Sequence, residues 1–180
     1  MTEIIIIRHG ETEWNKTGRF QGHSDIALSQ EGRAQAAALG RNLAVDDVDA
    51  IYASDLTRAM ETAAPLAKRF GLEVIPDAAL RELNFGAWEG RNFHDVNAEY
   101  PGAMKNFYND PELADIPDSE NFTDFQKRVA GRVRGIAEEH CGKRVIIVSH
   151  GASIRILFAD ILAMPIRSIW HISQLNTAVN

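Results

Sequence analysis

Two stretches far apart in the chain limit its fold more than any others: "IIIIRHG" over residues 4–10 and "VIIVSHG" over 145–151. Each is four branched apolar residues followed by a polar residue, a histidine and a glycine. Runs this short, without polar alternation, read as central strands of a parallel sheet, where both faces are covered. Parallel strands all end on the same edge. If the two are neighbours, His9 and His150 converge there. The glycine after each histidine lets the backbone turn sharply and approach a ligand, and the N–H groups of a following helix would face the same spot.

The intervening sequence alternates helical and strand patterns. "SQEGRAQAAALGRNLA" reads as a helix with Ser29 as N-cap and Ala36, Leu39 and Leu43 on one face. "AIYAS" is a short strand leading into "DLTRAMETAAPLAKRF", a helix with Pro65 as a kink point, and "LEVIP" is another strand. Phe122, Phe125, Val129, Val133 and Ile136 recur at helical spacing before the strand "RVIIV" and the helix "SIRILFADIL". This order predicts an α/β fold with one doubly wound sheet and a single domain over 1–180. Residues 91–119, rich in Asn, Pro and Asp with interspersed aromatics, break the rhythm. They read as an excursion over the carboxyl edge of the sheet, covering the active site.

The formal net charge of −6 gives no global signal for nucleic acid or an anionic membrane. No run is long enough to span a bilayer, and the N-terminus lacks the pattern of a signal peptide. The single cysteine, Cys141, excludes an intramolecular disulfide; it reads as a small apolar residue at a helix end and fits a reducing compartment. Cytoplasmic location is the expectation. The sequence leaves the oligomeric state open, a homodimer included.

A third strand end feeds "SDLTRA". With Ser54 capping that helix, Arg58 lies in its first turn near the same edge, so Arg8 and Arg58 would offer two forked cations suited to phosphate oxygens. A lone strand-end histidine is usually structural and a lone first-turn arginine usually solvated; their coincidence at three strand ends favours function. An arginine beside His9 opposes a metal, and no metal-ligand spacing is present, so neither metal nor cofactor is expected. His23, in a Gly-flanked loop, could border the pocket. Phosphoryl transfer needs an in-line nucleophile and charge compensation; neutral imidazole serves as the first, and the arginines with a protonated second histidine serve as the second. The leaving alkoxide needs an acid. Glu82 in "LRELNFGAWEG" is the candidate, its apolar neighbours expected to raise its pKa, and Glu89 is the rival.

These residues resemble the histidine phosphatase superfamily, also called the phosphoglycerate mutase-like family. The likeness runs through "RHGETEWN", "GRFQGHSDIALSQEGRAQA", "YASDLTRAMETA", "LRELNFGAWEG" and "VIIVSHGASIRIL". It implies a three-layer α/β/α fold with a mostly parallel central sheet, and catalysis through a covalent phosphohistidine without metal. By position it makes His9 the nucleophile, Arg8, Arg58 and His150 the rest of the phosphate pocket, and Glu82 the proton donor. Asn15, Gln21, Gly22 and the Gly151 backbone match positions that contact phosphate or substrate. Two departures stand out. "DSEN" replaces a Gly-Gly-Glu-Ser block and keeps only Glu120, and "QLNTAVN" ends where relatives finish a strand and run on, leaving an edge element in doubt. Residues 91–119 offer only Arg91 and Lys105 against six acidic residues, too few for a bisphosphate. The expected function is therefore a phosphatase acting on a small phosphomonoester. A phosphoglycerate mutase is the enzymatic alternative, and a catalytically silent partner-binding protein the other. Broad-specificity, α-ribazole, sugar-phosphate and phosphoserine phosphatases all remain open.

Overall fold

The computed structural model of the protein describes residues 1–180. Strands β1 (Glu3–Arg8), β2 (Ala50–Ala53), β3 (Val74–Pro76) and β4 (Arg144–Ser149) form one sheet in the order β1-β4-β2-β3, every pairing parallel. The two aliphatic runs are therefore direct neighbours. Their register sets Ile4 beside Val145 and Arg8 beside Ser149. The His9 N–H continues the ladder by donating to the Ser149 carbonyl at 2.9 Å.

Seven helices accompany the sheet: α1 (Glu13–Lys16), α2 (Gln30–Asn42), α3 (Thr57–Phe70), α4 (Phe93–Glu99), α5 (Ala103–Asn109), α6 (Phe122–Glu139) and α7 (Gly151–Ile161). Ile5, Ile7, Ile51 and Val148 pack with α3 and with Leu43 at the end of α2, whereas Ile6, Tyr52, Val145 and Ile147 pack with α6 and α7. Burial on both faces explains why neither run alternates. The three-layer α/β/α architecture is present. Ser29 caps α2 by accepting from Gly32 N at 3.0 Å, and the apolar stripe of α6, from Phe122 to Ile136, is buried. No helix is long and apolar enough to cross a membrane.

Several local expectations differ from the structure. Ser54 does not cap α3: the Thr57 N–H and hydroxyl donate to Asp25 at 2.7 and 2.8 Å, and Ser54 Oγ is reached only by the Leu56 N–H at 3.4 Å. A carboxylate at a helix start also complements the helix dipole, which the hydroxyl cannot do. Cys141 is exposed in the turn after α6. The 91–119 segment contains α4 and α5, pinned by Phe107, which is buried against Trp88 and Trp170. The edge element left in doubt is there: residues 177–180 run antiparallel along the outer edge of β1, where Ile6 and Asn180 exchange hydrogen bonds at 3.0 and 2.9 Å.

Glycines set how closely α2 approaches its neighbours. A Cβ at Gly32 would stand 2.0 Å from the Glu11 carbonyl oxygen, and one at Gly40 would stand 2.7 Å from the Pro65 Cβ. Gly131, in α6, meets nothing within 4 Å. Gly32→Ala is expected to destabilise the protein by about 1–3 kcal/mol through overpacking. Gly131→Ala should stabilise it by roughly 0.5–1 kcal/mol through helix propensity and the unfolded-state entropy. Urea unfolding of both variants beside the parent checks this, and similar effects of the two would contradict the packing account.

Candidate active site

The carboxyl edge of the sheet opens into a pocket of about 230 Å³. Strand β1 delivers Arg8 and His9 to it, α3 delivers Arg58, the start of α7 delivers Gly151, and the turn after β3 delivers Glu82. Asn15, Gln21 and Gly22 line it from the loop around α1. His150 is buried behind this lining, its ring centroid 5.1 Å from that of His9. His23 lies outside the lining and contacts the Glu82 carbonyl at 3.0 Å.

His9 is buried, and its Nδ1 lies 2.7 Å from the Gly10 carbonyl oxygen. A carbonyl only accepts, so Nδ1 carries the proton and Nε2 keeps its lone pair. Burial, then the charges of Arg58 and Arg8, hold the His9 pKa well below the usual imidazole value. Gly10 is required for a reason different from a sharp turn: a Cβ there would stand 2.7 Å from the Gly32 carbonyl oxygen of α2. The Gly10 N–H donates to Thr62 Oγ1 at 2.9 Å, whose hydroxyl donates to the Arg58 carbonyl at 2.7 Å. The nucleophile candidate and the arginine helix are thereby fixed to each other.

His150 differs from expectation. It is fully buried, and burial followed by Arg58, His9 and Arg8 pushes its pKa well below normal, so the imidazole is neutral rather than protonated. Arg58 Nε donates to its Nδ1 at 3.3 Å, which places the ring proton on Nε2, an atom without a protein partner. Arg58 is itself fully buried without a carboxylate. Its remaining nitrogens donate to the carbonyls of Ser24 and Gly22, each at 2.7 Å, and burial lowers its pKa to about 10. The carbonyls leave spare N–H donors on the fork. Gly22 has a φ of +52°, and a Cβ there would stand 2.0 Å from Glu89 Oε1. Arg8 donates to the Gln174 carbonyl at 2.6 Å while its Nε is buried and unpartnered.

Glu82 is not in the apolar setting expected from its neighbours in sequence. Its carboxylate accepts from the N–H groups of Ala152 and Ser153 at 3.0 and 3.1 Å and from Leu83 N at 3.0 Å. The first amides of α7 therefore hold the acid candidate, and only the Gly151 end of the helix is left to line the pocket. The Glu82 segment is clamped from both sides. Ser149 donates to the Leu80 carbonyl at 2.8 Å, and Arg128, paired with Glu120 at 2.6 Å, donates to the carbonyls of Ala79 and Arg81 at 3.0 Å. Glu120 thus braces the site without entering it. Glu89, the rival acid, is occupied by His23 N, Ser24 N and Ser24 Oγ at 2.6–2.8 Å and does not line the pocket. Asn15 Oδ1 accepts from Thr12 N at 3.0 Å and Gln21 Oε1 from Thr12 Oγ1 at 3.0 Å, so both amides direct their N–H₂ groups elsewhere.

Sequence reasoning missed Arg19 and Arg155, both of which line the pocket. A signal existed for Arg155: it lies four residues after Gly151 in α7 and so shares its face.

A sequence profile described as the histidine phosphatase superfamily (branch 1) matches residues 4–180. The chain belongs to that superfamily. Phosphoserine phosphatase 1 of Hydrogenobacter thermophilus is 31% identical to it over 94% of this chain and 81% of its own length. Phosphoglycerate mutase-like protein 4 of Arabidopsis thaliana is 37% identical over 99% of this chain and 77% of its own. The solved structure of Bacillus stearothermophilus YhfR superimposes with a TM-score of 0.93 at 33% identity, covering 99% of this chain and 89% of its own.

The buried neutral histidines link stability to pH. The unfolded chain protonates them near pH 6.5, the folded protein only well below that, so the unfolded state binds more protons as pH falls through 6.5. Stability is complete above that value and should decline below it by up to about 1.4 kcal/mol per pH unit for each histidine. Denaturant unfolding between pH 7.5 and 5 should give a shallower decline for His150→Gln. An unchanged slope would contradict a buried neutral His150.

Proposed function

We propose that this histidine phosphatase superfamily protein hydrolyses phosphate monoesters of small metabolites through a phosphohistidine on His9. One observation carries the reading: a neutral His9 with its lone pair on Nε2 borders a pocket whose guanidinium groups have no carboxylate partners. A phosphate dianion supplies the missing counter-charge and brings phosphorus to the nucleophile.

In the first step the Nε2 lone pair attacks phosphorus, the bond to the alkoxide breaks, and the Glu82 carboxyl delivers a proton to the leaving oxygen. Arg8, Arg58 and the Nε2–H of His150 donate to the phosphoryl oxygens, joined by the amides of Asn15 and Gln21 and the backbone at Gly22 and Gly151. In the second step water attacks phosphorus while Glu82 takes its proton, and the P–N bond electrons return to His9. Glu82 ends the cycle as it began. The fixed guanidinium charges do the work that a metal ion does in other phosphoryl-transfer sites, so no metal is called for.

A mutase is the second reading, favoured by Arg19 and Arg155 in the pocket and by the phosphoglycerate mutase-like relative. The shortage of cations in residues 91–119 does not argue against it, because these two arginines come from elsewhere in the chain. Formation of 2-phosphoglycerate from 3-phosphoglycerate with a bisphosphate primer, faster than phosphate release, would favour it.

Hydrolysis of p-nitrophenyl phosphate in excess chelator is expected to persist and to fall at least about 10³-fold in His9→Ala. Chelator-abolished activity, or full activity in that variant, would overturn the mechanism. Glu82→Gln should slow an alkyl phosphate roughly 100-fold or more and the aryl ester far less, because nitrophenolate needs little protonation. Equal losses on both esters would remove Glu82 from the acid role.

A further inference from the structure

The charge inventory of the pocket is uneven. Every ion pair in the protein is made by an arginine or lysine outside it, whereas Arg8, Arg19, Arg58 and Arg155 all line it and none is paired with a carboxylate. Glu82 is the one acidic side chain of the lining. Arg19 is exposed and its charge is met by water; Arg8, Arg58 and Arg155, set against a phosphate dianion while Glu82 holds the proton for the leaving group, leave one positive charge without a partner. A half-buried cation without a counter-ion is costly, so a second anion of single charge fits this lining better than a neutral alcohol.

Arg155 is built to receive that anion. Its Nε donates to the Ile172 carbonyl at 2.7 Å, and its guanidinium lies 5.7 Å from the centroid of the Trp170 ring. Trp170 is fixed in turn by its own Nε1–H donating to the Phe107 carbonyl at 2.7 Å. Tyr108 packs against Trp170 at 5.6 Å and also lines the pocket. Gly151 makes the room: a Cβ there would stand 3.0 Å from an Arg155 terminal nitrogen and 3.4 Å from Arg8 Nε. The second cation therefore flanks the phosphate-side arginine across one glycine, and its two terminal nitrogens have no protein acceptor. Burial also lowers the Arg155 pKa, against the opposing charge of Glu82.

We infer that Arg155, with Tyr108 and Trp170 around it, is a specificity-determining residue that binds a carboxylate on the substrate, making the preferred substrates phosphate monoesters of small acids. The inference rests on the phosphatase reading of the same pocket. The cavity of about 230 Å³ suits a phosphoryl group with a short carbon chain and its carboxylate. A carboxylate takes both terminal nitrogens of a guanidinium side by side, a match that neither a hydroxyl nor an amine makes.

The test compares 3-phosphoglycerate with glycerol 3-phosphate, which differ in carrying a carboxylate or a CH₂OH group. The parent protein should favour 3-phosphoglycerate in kcat/KM by about 10- to 100-fold, mainly through KM, the scale of one charge-assisted bond pair. Arg155→Gln should collapse that ratio towards one, and Arg155→Lys should restore part of it. A parent ratio near one overturns the inference, and this reading needs no variant, so it decides even if Arg155→Gln does not fold. A ratio that survives Arg155→Gln, with both substrates slowed alike, also overturns it and leaves Arg155 a structural role. Failure to hydrolyse even p-nitrophenyl phosphate counts against the phosphatase reading instead. Calorimetric binding then decides, with tighter binding of 3-phosphoglycerate than glycerol 3-phosphate supporting the carboxylate site and equal binding overturning it.

Discussion

The pairing of β1 with β4 is the contact on which the rest of the site depends. Arg8 lies beside Ser149, so the next residue on each strand is a histidine, and the His9 N–H is still part of the ladder. A slip of one residue would turn every side chain of one strand to the opposite face. It would take Arg8 and His9 out of line with Ser149 and His150 and turn each to the opposite face, so the register of the strands also protects the chemistry at their ends. Ile7 and Val148 are buried completely, which makes such a slip expensive.

The pocket stores positive charge in a place where the fold offers little to offset it. Arg58 is fully buried, and its protein partners are two carbonyls and an imidazole nitrogen. Dipoles of this kind orient a guanidinium without neutralising it, which leaves its field directed at a ligand. Burial first, and then the same field, keep His9 and His150 neutral. A neutral His9 is a nucleophile and a neutral His150 is a hydrogen-bond donor, so burial and the neighbouring cations together set the state of both rings. Glycines at 10 and 22 are where a backbone or a charged side chain comes closer than a Cβ allows, and at 151 a Cβ would crowd the Arg155 and Arg8 side chains.

Much of this was legible in the sequence, because strand ends carry their residues to predictable places. The runs before His9 and His150 fixed a parallel sheet and a shared edge, and the first-turn position of Arg58 brought it to that edge. The sequence block around Glu82 singled it out and the resemblance added Asn15 and Gln21, and the structure gathers all three around the same pocket. What spacing cannot show is which long-range partner satisfies a group. Asp25, not Ser54, caps α3; the α7 amides go to Glu82 rather than to the pocket; and Glu89 is consumed by the turn at 23–24. Serine in place of arginine before the second histidine anchors the Leu80 carbonyl and so helps position Glu82. Arg19 and Arg155 escaped notice because a single arginine in a loop or on a helix reads as solvated until its neighbours in space are known.

The central claim is that His9 itself carries the phosphoryl group. Rapid denaturing quench of the protein with a turning-over phosphomonoester, followed by peptide mass spectrometry at alkaline pH, tests it most directly. The expected result is phosphate on the peptide that contains His9, stable in alkali and lost in acid. Phosphate on His150 or on a carboxylate, or its absence from His9 during steady turnover, would contradict the mechanism.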